Sequence, residues 1–207
     1  MHPETKLFFL RHGEAHPTPP SCLDIDRPLT KQGMAQAKKQ GEHLHETPFD
    51  LLVTSHAVRA KETAFRVLGP RHLQIPQIII ELLYIPVESP KLPEETLLEK
   101  LSPAARKRFH SMPSSAPLYP RIASSCLLEE VQLHERQKEE RQERNGSSAI
   151  PLSILVVAHA NILIDLPPLL IEGGFVDTSS SLFHSPLSPC TGFVLYGSGE
   201  VSPLPLY

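Results

Sequence analysis

Hydrophobic residues fall along this chain in two rhythms. Short continuous apolar runs at 6–10, 49–53 and 153–157 have the length of strands buried on both faces. Residues 75–83 contain Ile78-Ile79-Ile80, a β-branched run that reads as a further buried strand. Between the runs the spacing lengthens. Met34, Ala37, Gly41 and Leu44 form one helical stripe, with Thr30 placed as its N-cap. Ser55 reads as the cap of a second helix, which carries Ala57, Ala60, Ala64 and Leu68 on one face and is stopped by Gly69-Pro70. Residues 162–171 begin as a helix. Segments 192–196 and 201–206 flank Gly197-Ser198-Gly199-Glu200 and predict a terminal hairpin.

Alternating strands and helices predict an α/β fold, a three-layer α/β/α arrangement around a mostly parallel sheet. Residues 89–150 break the alternation. Ser102-Pro103 starts a short helix, residues 112–120 are rich in Pro and Ser and read as a loop, and residues 127–144 read as a helix. The end of that helix, 135–144, is charged nearly all round, the pattern of a solvated end held by side-chain ion pairs; Asn145-Gly146 can terminate it. The expected organisation is one domain over 1–207 with a helical insertion at 89–150.

Composition narrows the function. The chain has 207 residues, 40% of them hydrophobic, and a formal charge of −3. A mildly acidic chain is not the profile of a nucleic-acid binder. No apolar run approaches the roughly 20 residues of a membrane span, and residues 1–6 lack a signal peptide's basic start and cleavage site. Cys22, Cys126 and Cys190 are scattered and odd in number, so they suggest no disulfide framework. A reducing cytoplasm is the expected location, with neither nucleic acid nor membrane as partner. Eleven histidines raise the question of a metal. However, His43 and His45 are two apart on a predicted helix, and His16, His56 and His110 show no ligand spacing, so neither metal nor cofactor is expected. His56 reads as a helix-start residue and His16 as a candidate for the pocket mouth.

The chemistry gathers at strand ends. Leu10-Arg11-His12-Gly13-Glu14-Ala15 follows the first strand directly. Arginine offers a planar fork that fits phosphate oxygens, histidine can attack phosphorus and later release the phosphoryl group, and glycine lets backbone approach closely. Alone, an Arg-His-Gly triplet says little. The stretch 54–64 adds Arg59 at a strand-to-helix junction, where free helix amides favour an anion. Val156-Val157-Ala158-His159-Ala160-Asn161 adds a second histidine after another buried strand. In a parallel sheet these carboxyl ends share one edge.

These motifs, with Arg27-Pro28-Leu29-Thr30 followed by Gly33, resemble the histidine phosphatase (phosphoglycerate mutase-like) superfamily over roughly residues 5–86 and 152–207. The resemblance implies a phosphoglycerate mutase-like fold. It makes His12 the phosphorylated nucleophile, Arg11 and Arg59 the phosphate-binding arginines, and His159 the second pocket histidine. Two cations and an imidazolium would then neutralise the transferring group without a metal. For attack, one ring nitrogen of His12 must be unprotonated and the other held by a hydrogen bond; the carbonyl of Gly13 would serve.

Many relatives carry a glutamate general acid after the third strand. Here that position falls near Ile85, with Glu81 slightly early and Glu88 slightly late. Glu88, in a predicted loop, is the better candidate, and Glu81 can equally be a plain strand-end carboxylate. This departure and Arg27-Pro28-Leu29-Thr30 are similar to the SixA-like phosphohistidine phosphatase branch, whose members are compact and lack the insertion. Asn161 stands where many relatives have a nearby glycine. The resemblance implies hydrolysis of phosphomonoesters or phosphohistidine, with a phosphorylated small molecule or phosphoprotein as partner. A mutase, and an idle family member acting as a binding module, are the competing expectations.

Overall fold

The computed structural model describes residues 1–18, 23–85, 92–145, 151–171 and 187–204. Among them six strands form one sheet: β1 (Lys6–Arg11), β2 (Leu51–Thr54), β3 (Gln77–Ile79), β4 (Ser153–Ala158), β5 (Gly192–Tyr196) and β6 (Val201–Pro203), in the order β3-β2-β4-β1-β5-β6. Pairings β1/β4, β2/β4 and β2/β3 are parallel, whereas β1/β5 and β5/β6 are antiparallel. The expected mostly parallel sheet and terminal hairpin are both present.

Strand residues alternate between two buried faces, as the pleat requires. Leu7, Phe9, Leu51, Val53, Ile154 and Val156 point one way, into a core shared with Leu127, Leu128 and Val131 of helix α5 (Leu118–Asn145). Ile162 of α6 (Ala160–Leu163) and Leu170 of α7 (Pro167–Leu170) join the same core. Phe8, Leu10, Leu52, Leu155 and Val157 point the other way, onto Ala37 of α1 (Lys31–His43) and Ala60, Ala64 and Val67 of α2 (Val58–Leu68). Helices on both faces make the three layers.

Within 89–150 the described helices are α3 (Glu94–Glu99), α4 (Pro103–Ser111) and α5. Leu97, Leu101, Ala105, Phe109, Tyr119 and Ile122 form a third small core among them, and Leu82 and Ile85 pack against it. The charged end of α5 is tied to the sheet side. Lys138 Nζ donates to Asp50 Oδ1 at 2.7 Å, and Glu135 Oε1 accepts from the Thr5 hydroxyl and the His2 amide, each at 2.7 Å.

Three local expectations change. The isoleucine run is not a buried strand: β3 is the edge strand, and Ile79 is 54% exposed. Helix α5 starts at Leu118, inside the predicted loop. Pro120 stands in its first turn, where a missing N–H breaks no helical bond. The helix expected over 162–171 is two short pieces, α6 and α7, because Pro167-Pro168 can begin a helix but not continue one. Thr30 caps α1 as expected, its hydroxyl accepting from Gly33 N at 2.9 Å.

Candidate active site

The strand registers place the site. Arg11 pairs with Ala158, and Thr54 with Val157. The residues that follow, His12, Ser55 and His159, therefore leave the sheet side by side at one edge. Two further hydrogen bonds extend the ladders, His12 N to Ala158 O at 3.0 Å and Ser55 N to Val157 O at 3.1 Å. His12 and His159 meet edge to face, with ring centroids 4.9 Å apart.

His12 is fixed at backbone and ring. Its carbonyl accepts from Cys190 N at 3.3 Å, and its Nδ1 lies 2.7 Å from Gly13 O. A carbonyl only accepts, so Nδ1 carries the proton and Nε2 keeps its lone pair. Burial lowers the His12 pKa to about 4; the Gly13 carbonyl opposes this, and the charges of Arg59, Arg11 and Arg27 add to it. His159, only 6% exposed, is lowered to about 2 by burial, by His12 and by Arg59. Both imidazoles are therefore held in the neutral form, and the imidazolium expected during transfer would have to gain its proton there. A bound anion is what would favour the charged form.

Arg59 is 4% exposed and lies within the helical turn that opens α2. Its Nε donates to His12 Nε2 at 3.2 Å, and its guanidinium lies 5.5 Å from the ring centre of Tyr84. Arg11 Nη1 donates to Leu187 O, while its Nε is buried without a hydrogen-bond partner among the described residues. Burial and the neighbouring Arg59 charge both lower the Arg11 pKa.

The loop carrying His12 is held from below. Gly13 N donates to the Thr63 hydroxyl at 3.0 Å, and that hydroxyl donates to Arg59 O at 2.7 Å. A Cβ on Gly13 would meet Gly33 O at 2.6 Å, and one on Gly33 would meet Glu14 O at 2.0 Å. The two glycines thus let the loop after β1 lie directly on the first turn of α1.

Arg11, His12, Arg59 and His159 come together as the sequence places them. Glu81 does not join them: its side chain is 64% exposed and pairs with Lys100 at 3.4 Å. Glu88 and Cys22 lie outside the described residues. His16 is exposed, and its carbonyl accepts from Arg27 Nε at 2.5 Å. Ser55 is not a helix cap. Ala57 holds that position, and Ser55 Oγ instead lies 2.9 Å from His159 Nε2. Ser55, Tyr84 and Asp24 were not legible as site residues. Tyr84 packs its ring 5.1 Å from His159 and donates its hydroxyl to Asp24 Oδ2 at 2.7 Å. Asp24 also accepts from Arg59 Nη2 at 2.9 Å and Arg27 Nη1 at 2.7 Å. Among the described residues no group of three or more His, Cys, Asp or Glu has the geometry to hold a metal ion, and no helix is long and apolar enough to cross a membrane.

Known proteins resemble this chain in sequence and in fold. The family model for the histidine phosphatase superfamily (branch 1) matches residues 7–163. Over 79 residues the chain is 38% identical to the adenosylcobalamin/alpha-ribazole phosphatase of Escherichia coli (strain K12), covering 37% of this chain and 38% of that protein. Over 150 residues it is 26% identical to the 2,3-bisphosphoglycerate-dependent phosphoglycerate mutase of Chlamydia pneumoniae, covering 70% of this chain and 58% of that one. The chain therefore spans less than two-thirds of either relative. Among solved structures, a mycobacterial glucosyl-3-phosphoglycerate phosphatase superposes with a TM-score of 0.58 at 17% identity, covering 96% of both chains. A protein named for the phosphohistidine phosphatase SixA, from Agrobacterium tumefaciens, gives 0.54 at 16% identity, covering 98% of this chain and 96% of that one. At such identities the likeness is one of fold.

Proposed function

The chain belongs to the histidine phosphatase superfamily, branch 1, and from that premise we propose that it is a phosphatase acting through a phosphohistidine on His12. The observation that carries this reading is the state of the His12 ring. Nδ1–H is committed to Gly13 O, and Nε2 offers its lone pair between Arg59 and His159. In the first step Nε2 attacks phosphorus; the N–P bond forms as the bond to the leaving oxygen or nitrogen breaks, and the leaving group takes up a proton. Water then attacks phosphorus and the N–P bond breaks, releasing inorganic phosphate, restoring neutral His12 and returning one proton to the acid or solvent that protonated the leaving group.

Arg11 and Arg59 are assigned to the phosphoryl oxygens, and His159, oriented by Ser55, to the edge of the transferring group. The buried Arg11 Nε, without a hydrogen-bond partner among the described residues, is a donor suited to that task. Glu88 is the candidate proton donor for an alkoxide leaving group, an assignment resting on the sequence alone. Substrates are phosphomonoesters or phosphohistidine, on a small molecule or a protein, in the cytoplasm. A mutase is the second reading, favoured by the 150-residue match to a phosphoglycerate mutase. It would need a pocket that shields the phosphohistidine from water.

Hydrolysis of a generic aryl phosphate in the presence of EDTA tests the proposal. Turnover that persists in chelator is the expected result. Loss of all activity, restored by a divalent ion, would overturn the metal-independent mechanism.

A further inference from the structure

Asp24 has no part in the transfer just described, yet its carboxylate is heavily bonded at the site. It accepts from Arg59 Nη2 at 2.9 Å, Tyr84 OH at 2.7 Å, Arg27 Nη1 at 2.7 Å and the Thr18 hydroxyl at 3.3 Å. Its backbone carbonyl also takes Arg59 Nη1 at 2.5 Å. Its side chain is only 12% exposed. Burial alone would raise its pKa, but the hydrogen bonds from Tyr84, Arg27 and Arg59 outweigh that and hold it well below the carboxylate range. It is therefore an anion at any pH where His12 is neutral, and it has no proton to give a leaving group. Tyr84 keeps its own proton, with burial and Asp24 pushing its pKa up to about 12.

This fixed anion changes the charge that a substrate meets. Among the described residues, the guanidinium groups of Arg11, Arg27 and Arg59 stand against the Asp24 carboxylate, with both imidazoles neutral. The two positive charges left over match one phosphomonoester dianion. When phosphoryl oxygens take the outer nitrogens of Arg59, Asp24 remains beside them, anchored by Tyr84 and Arg27. A second anionic group on the substrate then faces a carboxylate. An ammonium or imidazolium gains from the same carboxylate, strongly so where solvent is largely excluded.

We propose that Asp24 selects the leaving group: the enzyme takes a single phosphoryl group carried by a neutral or cationic moiety and rejects substrates bearing a carboxylate or a second phosphate. The proposal rests on the phosphate pocket at His12 and narrows the substrate class that this pocket admits.

The test measures binding, independent of turnover, with three phosphonates of matched length on the full chain. These are 2-aminoethylphosphonate, propylphosphonate and 3-phosphonopropionate, titrated by calorimetry. The wild-type protein should bind them in that order, with about tenfold or more between the first and last. Asp24→Asn, which keeps shape and removes charge, should shrink the spread to about threefold or less. Tyr84→Phe removes a donor but leaves the charge, so it should keep the order. Equal binding of all three by the wild type overturns the proposal without any variant. So does an undiminished spread in Asp24→Asn. If propylphosphonate binds and aryl phosphate is hydrolysed but the spread is absent, only the role of Asp24 falls. If no phosphonate binds and aryl phosphate is untouched, the phosphatase reading falls with it.

Discussion

Nε of Arg59 donates to Nε2 of His12 across 3.2 Å, so the buried guanidinium rests on the lone pair that the proposed mechanism directs at phosphorus. On that proposal an incoming phosphoryl group comes between the two, accepting from Arg59 while presenting phosphorus to His12. One contact thus links anion binding to release of the nucleophile.

His12 should carry the phosphoryl group during turnover. Phosphohistidine is acid-labile, so samples are quenched rapidly into base and mapped by peptide mass analysis. The label is expected on the peptide containing Arg11-His12-Gly13. His12→Ala should abolish both adduct and turnover, and His159→Ala should slow both without moving the label. Near-normal turnover in His12→Ala would sink the central claim.

Arg59→Ala should lower kcat/KM by about 10³-fold or more, the scale seen when an arginine is withdrawn from a transferring phosphoryl group. Lys61→Ala should change it less than about threefold, since Lys61 is exposed on the outer side of α2. Loss of the Arg59 charge should also raise the His12 pKa, measurable by proton NMR of the ring. Equal kinetic effects of the two substitutions would contradict the assignment.

The pH profile follows from the neutral imidazoles. Attack needs unprotonated Nε2, so ionisation of His12 should limit kcat/KM only near pH 4, and any loss near pH 6 should follow the second ionisation of the substrate phosphate, about 6, and shift with the substrate used. Stability follows a different course. The unfolded chain protonates His12 near pH 6.5 while the folded one resists until about 4, so the unfolded state binds more protons in that window. The contribution of His12 is therefore full above about pH 6.5 and is lost as pH falls toward 4, in all about 3 kcal/mol. Urea midpoints at pH 8 and pH 5 should separate more in the wild type than in His12→Ala.

Gly33→Ala should reduce both stability and turnover. Its methyl would sit 2.0 Å from Glu14 O, and backbone cannot yield that much without moving the loop that carries His12. A loss of about 1–3 kcal/mol in denaturant unfolding is expected. Gly69→Ala is the comparison. Its φ of +55° makes alanine strained, by about 1 kcal/mol, but nothing lies within 4 Å of the new Cβ and turnover should be unchanged.

Glu81→Gln should leave the ratio of alkyl to aryl phosphate hydrolysis unchanged and cost less than about 0.5 kcal/mol, because its ion pair with Lys100 is largely exposed. Glu88→Gln should slow alkyl phosphates more than aryl phosphates, since only the alkoxide strongly needs a proton. Identical ratios in both variants would place the protein with the acid-poor members of its family.

The strands and three of the strand-end motifs were legible because a strand buried on both faces writes itself as an unbroken apolar run. Arg11, His12, Arg59 and His159 follow such runs or the helix just after one. Ile78-Ile79-Ile80 has the same appearance but lies at the sheet edge, where neighbours rather than composition decide burial. Ser55 misled because serine before a helix is the usual cap signal. Here the parallel pairing of β2 with β4 turns it toward His159 instead. Asp24 and Tyr84 meet across 60 positions of sequence, and no spacing rule reaches that far.

Because β4 lies between β1 and β2, the two N-terminal strands do not pair with each other. They wait for residues 153–158 to come off the ribosome before either gains its long parallel partner. Until then Phe9, Leu51 and Val53 have no sheet to close over them. A chain in which β4 is not yet available therefore leaves strand edges and apolar surface uncovered, the condition that favours aggregation during folding. The proposed site, built from strand ends that meet only across β4, is incomplete before that strand is in place.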